Sequence, residues 1–165
     1  MTGLHAIGDS VCTTNPTLGR GLSVALSTVA DLLDTIAKYG EDPIAQALAL
    51  DELVADHVAP FYEDQASIDA ERLAILRHTI FDAPAPDPPP ASSDRVTFWQ
   101  LRGAAPFDPT AFRGVSRIMG MIGQPEEVYT DPQVVQRTQE TLRHHASGPP
   151  IAQPTREELL AVLAQ

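Results

Sequence analysis

Only one stretch of this chain, around Leu4, Ala6 and Ile7, has the short apolar character of a buried strand. A lone strand cannot form a sheet, so the rest of the chain must find its core through helices. From Leu22 onward the apolar residues Leu22, Ala25, Leu26, Val29, Leu32, Leu33 and Ile36 fall at helical spacing. They predict a helix from about Gly21 to Lys38 that is apolar on most of its circumference. Such a helix calls for burial. A partner segment, a second chain or rearranged helical packing must cover it.

Between strand and helix lies a polar, glycine-punctuated loop, Gly8-Asp9, then Asn15-Pro16, then Gly19-Arg20-Gly21. Gly8 permits a sharp exit from the strand that most side chains would block. Asp9 is short and ionised, and at a strand's end its carboxylate can accept hydrogen bonds from sugar or ribityl hydroxyls. Asn15-Pro16 fits a rigid turn. Gly19 and Gly21 let the backbone approach a ligand with no Cβ in the way. The helix N-terminus that follows offers free N–H groups and a positive dipole end to negative charge. The order suits a polar, anionic cofactor, although an ordinary strand, loop and helix would use some of the same residues.

This pattern, with Ala25 after it, resembles the second flavin-binding motif of FAD-dependent oxidoreductases. The group includes aromatic-hydroxylase type monooxygenases, geranylgeranyl reductases and flavin-dependent halogenases. The resemblance implies FAD as cofactor, with Gly8, Asp9, Asn15, Pro16, Gly19, Arg20 and Gly21 as the cofactor-binding residues. Asp9 would be the ribityl ligand, and Pro16, Gly19, Arg20 and Gly21 would line the isoalloxazine ring. The helix would aim its N-terminus at the pyrimidine end of the flavin, and NAD(P)H would be a possible electron donor. The chain departs from many relatives in having Ser10-Val11-Cys12 after the aspartate, and Ser23 and Thr28 where asparagine and aspartate are common.

The resemblance covers a small part of the chain, and GxGxxG, which opens such enzymes and cradles the pyrophosphate, occurs nowhere in it. The fold expected is therefore mainly α: the C-terminal helical part of a discontinuous FAD/NAD(P)-binding, Rossmann-like fold, with one N-terminal strand left from the flavin domain. The function expected is that of the C-terminal portion of an FAD-dependent oxidoreductase, not catalytically competent as an isolated chain. It would be completed by a missing N-terminal segment or a partner chain, and its small-molecule substrate is unspecified. The alternative is a non-catalytic helical protein-interaction module, or one subunit of a split flavoenzyme.

Composition narrows the partners. With 22 acidic residues against 11 basic and a net charge of −11, the chain would be repelled by nucleic acid and by anionic membrane surfaces. No apolar run approaches the roughly 18 residues that a membrane span needs. The N-terminus lacks a basic leader; together these point to the cytoplasm. The single cysteine, Cys12, excludes an internal disulfide and a cysteine-based zinc site. It reads as a small, half-buried side chain, with covalent flavin attachment as the alternative.

The remaining sequence divides at 1–39 (flavin-domain remnant), 40–83 (helical arm), 84–93 (proline-rich linker) and 94–165 (C-terminal helices). Gly40, Asp42 and Pro43 supply a helix stop, an N-cap and a first helical position. A helix follows toward His57, and Pro60 kinks it or separates it from the next. That next helix, about Phe61 to Phe81, should turn Ile68, Leu73, Leu76 and Ile80 inward and Asp64, Asp69, Glu71 and Arg72 outward. His57 and His78 read as surface residues. Ala83–Ser93 excludes helix through its prolines. Ser93-Asp94 and Asp108-Pro109 should start two helices whose small core is anchored by Trp99, Phe107 and Phe112. Thr130-Asp131-Pro132 should open a peripheral helix ending at His144-His145, whose charge suits a helix C-terminus. Gly148-Pro149-Pro150 reads as a second linker. Thr155-Arg156-Glu157-Glu158 is a capping box for a short last helix that must dock on something.

Overall fold

The computed structural model describes residues 3–87, 92–145 and 155–163. These form eight α-helices and two short 3-10 turns, and no strand occurs among the described residues. The chain divides into two compact units, Met1–Ala91 with Ser116–Val128, and Ser92–Val115 with Tyr129–Gln165.

The first unit holds α1 (Gly21–Tyr39), α2 (Pro43–His57) and α3 (Ala59–Phe81). Leu4–Ile7 does not form the expected strand; a ladder needs a partner edge, and none occurs among the described residues. The chain instead turns through Gly8–Ser10 and packs that turn on α1. Gly40, at φ 54, ends α1, and Asp42 caps α2 by accepting hydrogen bonds from the amides of Ile44 and Ala45. Val58 separates α2 from α3, with Pro60 in the first turn of the latter. Val24, Val58 and Cys12 form the apolar centre, and Val11, Val54 and Met121 pack around it.

Burial in this unit departs from the periodicity. On α1 the buried residues are Val24, Thr28 and Thr35, whereas Leu22 and Leu33 are 73% and 62% exposed, and Leu26 and Ile36 are exposed with them. α1 packs on α2 and on the Gly8–Ser10 turn, while its leucine stripe has no cover among the described residues. On α3, Ile68 is buried as expected, but Leu73, Leu76 and Ile80 are exposed. At 23 residues α3 outruns the 15-residue α2 against which it packs, so its last turns extend past that neighbour.

The second unit contains α4 (Phe98–Ala104), most of α5 (Pro109–Met119), the end of α6 (Pro125–Tyr129), α7 (Pro132–His144) and α8 (Arg156–Leu163). Its core is Val96, Phe98, Leu101, Ala104, Ala111, Tyr129, Val134 and Val135. Of the three expected aromatic anchors, Trp99 is half-buried and edge-on to Phe98, whereas Phe112 and Phe107 are exposed, and Phe107 stacks on His145 with ring centroids 4.3 Å apart. The cap of α4 is Thr97, paired with Gln100 in a capping box, rather than Ser93-Asp94. α7 is central rather than peripheral, because Thr138 and Thr141 are buried beside Val134 and Val135, and it packs on α4. Thr138 has no exposed surface and Thr141 little, so a polar-looking helix can still be a core helix.

Thr155 and Glu158 form the expected capping box of α8. Leu160, Val162 and Leu163 are nevertheless exposed, so the docking expected of α8 is not found among the described residues. In the proline-rich linker Pro88–Ala91, and throughout Gly148-Pro149-Pro150, the expectations lie outside the described residues. No described helix is long and apolar enough to cross a membrane.

Asp108 fastens the second unit. Its Oδ1 accepts from the amides of Thr110 and Ala111, and its Oδ2 accepts from Arg137 Nη2 at 2.7 Å. Burial pushes this carboxyl up, but the hydrogen bonds from Ala111, Arg137 and Thr110 outweigh burial and hold it below the usual carboxylate range. A depressed folded pKa stabilises the fold fully above about pH 4, and that contribution is lost as the pH falls through the folded value. Asp108→Ala should cost about 1–2 kcal/mol at neutral pH, read from the urea midpoint of Trp99 fluorescence in the same unit. The gap to wild type should narrow on acidification below about pH 4.

Candidate functional site

The Gly8–Ser10 turn packs on α1 at a glycine whose backbone and close approach both disfavour a side chain. Gly8 has φ 55, and a Cβ on it would lie 3.3 Å from the Cβ of Ala25. The Gly8 amide donates to Thr28 Oγ1 at 3.0 Å, and that hydroxyl is itself within bonding distance of the Val24 and Ala25 carbonyls. Thr28, which departs from the flavin-motif pattern, thus ties the turn to the helix. Asp9 follows Gly8 and is exposed.

Cys12 is buried against Val24 and Val58. Burial first, and the negative charge of Asp9 second, push its thiol above the ordinary value. The thiol is therefore protonated at neutral pH and a poor nucleophile. The small side chain expected to be half-buried is buried outright, as a packing residue.

The loop is a second 3-10 turn, Pro16–Leu18. Asn15 caps it by accepting from the amide and hydroxyl of Thr17 at 3.0 and 2.6 Å. Gly19 closes the turn at φ 69, a left-handed conformation that glycine adopts without strain. Pro16 and Gly19 are exposed, and Asn15 and Gly21 half-buried. α1 begins at Gly21, and Arg20 at the N-cap position gives it no side-chain cap.

Arg20 is turned inward, with 0% of it exposed. Its Nη2 donates to Asp64 Oδ2 at 2.7 Å, its Nη1 donates to the Phe61 carbonyl at 3.1 Å, and its guanidinium lies over the Phe61 ring. Asp64 and Asp69, expected on the solvent face of α3, are instead on the face that meets the loop: Asn15 Nδ2 donates to Asp69 Oδ1 at 2.9 Å. A sequence signal existed for both. They fall on the same helical face as Phe61 and Ile68, which are buried.

A separate open cleft of about 400 Å³ in the first unit is lined by Ser23, Ser27, His57, Phe61, Gln124 and Glu127 among others. His57 Nδ1 lies 3.0 Å from Asp31, which fixes the ring while leaving it half exposed. His78 is exposed, its Nδ1 2.7 Å from the Ala83 carbonyl. Both histidines are surface residues. Among the described residues no three His, Cys, Asp or Glu side chains are grouped as metal ligands.

No protein-family model, curated protein or solved structure matches this chain.

Replacing Arg20 removes the cation that a nearly buried carboxylate faces. Arg20→Ala should cost about 3–5 kcal/mol, and Arg20→Lys should recover only part of that loss, because an ammonium cannot reproduce the forked contact to Asp64 and Phe61. Urea unfolding followed by far-UV circular dichroism checks both, and an Arg20→Ala midpoint equal to wild type would remove the pair's structural role.

Proposed function

We propose that this chain is the C-terminal portion of an FAD-dependent oxidoreductase of the monooxygenase type, and that Gly8–Gly21 is its contribution to the flavin site. On this reading the helices are the last part of a discontinuous Rossmann-like flavin domain working in the cytoplasm. The observation that carries the reading is the start of α1. A 19-residue helix begins without a side-chain cap, directly behind a turn closed by left-handed Gly19. Its first-turn amides can therefore serve a ligand's anionic or carbonyl oxygens instead of a capping side chain.

The roles of the chain's own residues follow from their placement. Asp9, exposed on its 3-10 turn, accepts hydrogen bonds from ribityl hydroxyls. Pro16 and the backbone at Gly19 and Gly21 form the wall beside the ring. Arg20 contributes through its backbone, since its side chain is committed to Asp64. FAD supplies the electron transfer, with NAD(P)H as the candidate donor and a small molecule as substrate. The α1 dipole stabilises negative charge near its N-terminus, a preorganised electrostatic contribution. The exposed stripe of Leu22, Leu26, Leu33 and Ile36 is the surface on which the rest of the flavin domain, in the same or another chain, would pack.

That same stripe favours a second reading, a helical module that binds a protein partner. The two separate on a simple measurement. A flavin-binding chain quenches added FAD fluorescence and carries visible flavin absorbance, and Asp9→Ala should then weaken FAD about tenfold, the size of a lost charge-assisted hydrogen bond. Unchanged FAD affinity in Asp9→Ala would remove Asp9 from the site. A chain that neither carries nor quenches flavin would leave the interaction module as the better account.

A further inference from the structure

Phe61, Asp64, Gln65, Ile68, Asp69 and Arg72 recur every three or four residues and therefore share one face of α3. Four hydrogen bonds link that face to the segment Asn15–Arg20. Asn15 Nδ2 donates to Asp69 Oδ1 at 2.9 Å, and Arg72 Nη1 donates to Thr17 Oγ1 at 2.9 Å. Arg20 donates to Asp64 Oδ2 at 2.7 Å and to the Phe61 carbonyl at 3.1 Å. Gln65 Nε2 donates to the other oxygen of Asp69 at 3.2 Å, which orients that carboxylate toward Asn15.

We propose that α3 is the clamp of the glycine loop, with Asp64 and Asp69 as its positioning residues. What the loop holds rests on the flavin reading; the clamp does not. The physical need is entropic. A loop with glycines at 19 and 21 has more backbone freedom to lose than any other composition would have, and its own short turn fixes only Pro16–Leu18. The restraint must come from outside the loop, and it comes from residues 41 to 55 positions away. All four bonds have a charged side chain as donor or acceptor, the stronger kind. Because the clamp takes the Asn15 amide and the Arg20 guanidinium inward, it leaves Pro16, Thr17 and Gly19 as the exposed surface of the turn.

The Asn15–Asp69 bond allows a test by reversal in the full chain. Asn15→Asp sets a second carboxylate against Asp69. Adding Asp69→Asn restores the bond with donor and acceptor exchanged, and the carboxylate at 15 still accepts from Thr17. Hydrogen–deuterium exchange of the amides at 17–21 is the readout, with the urea midpoint measured alongside. The single variant should exchange about tenfold faster over the loop, as expected for a local opening made easier by one lost charged contact, and the double variant should return to near the wild-type rate. If the single variant unfolds altogether, refolding by the second substitution counts the same way. Wild-type exchange in Asn15→Asp, or a double variant no better than the single, overturns the clamp. FAD fluorescence quenching on the same three proteins separates the two ideas. Affinity that falls and recovers with the exchange rates ties the clamp to the flavin, whereas affinity that the variants leave unmoved, or no quenching by wild type, detaches the clamp from the flavin and leaves the exchange result to decide it.

Discussion

The first unit depends on a charge placed where charge is costly. An arginine with no exposed surface must be matched by an anion and by hydrogen-bond acceptors, since desolvating an ion without compensation costs several kcal/mol. Asp64 supplies the anion, the Phe61 carbonyl a second acceptor, and the Phe61 ring a face for the cation. Such a pair is weak evidence of extra stability, because an apolar pair of similar volume could serve as well. Its value is in specificity. Arg20 can satisfy its needs in few places, so the start of α1 has one seat on α3 rather than a range of greasy alternatives.

That seat shapes what the loop offers. The only charged side chain in Asn15–Gly21 is withdrawn, and the exposed positions are a proline ring, a threonine and a left-handed glycine. Recognition at such a surface uses backbone groups and shape. Asp9, on a separate turn pinned to the same helix through Thr28, adds an exposed carboxylate. Two glycines are held at positive φ by contacts from different sides: Gly8 by its approach to Ala25, and Gly19 by the turn that Asn15 caps.

Local signals were legible and distant ones were not. Asp42-Pro43, Asp108-Pro109 and Asp131-Pro132 each start a helix, and in all three the aspartate accepts from the two amides that follow the proline. A cap is decided within four residues, so the sequence displays it. The inward turn of Arg20 is decided by a residue 44 positions away, and nothing near Arg20 announces it. Asp64 and Asp69 differ: they share a helical face with the apolar Phe61 and Ile68, a local signal that their acidic character masks. The reverse holds at Phe112 and Leu73, whose apolar character suggests a core although both side chains are exposed. Leu4–Ile7 shows the limit most plainly, since strand character in one segment has no meaning without a second edge. For the candidate site, the glycine conformations and the start of α1 could be read directly, while the scaffold that holds them could not.

The first unit is discontinuous: its last piece, Ser116–Val128, follows a stretch that belongs to the second unit, and α5 runs from one into the other. Met121 from that piece packs on the Cys12, Val24 and Val58 centre. During synthesis, therefore, the N-terminal helices emerge without a part of their own core and must wait for it. A cut in the proline-rich linker would not release two self-sufficient halves. The first unit has the whole of its chain only once Val128 has been made, after the first stretch of the second unit has already emerged.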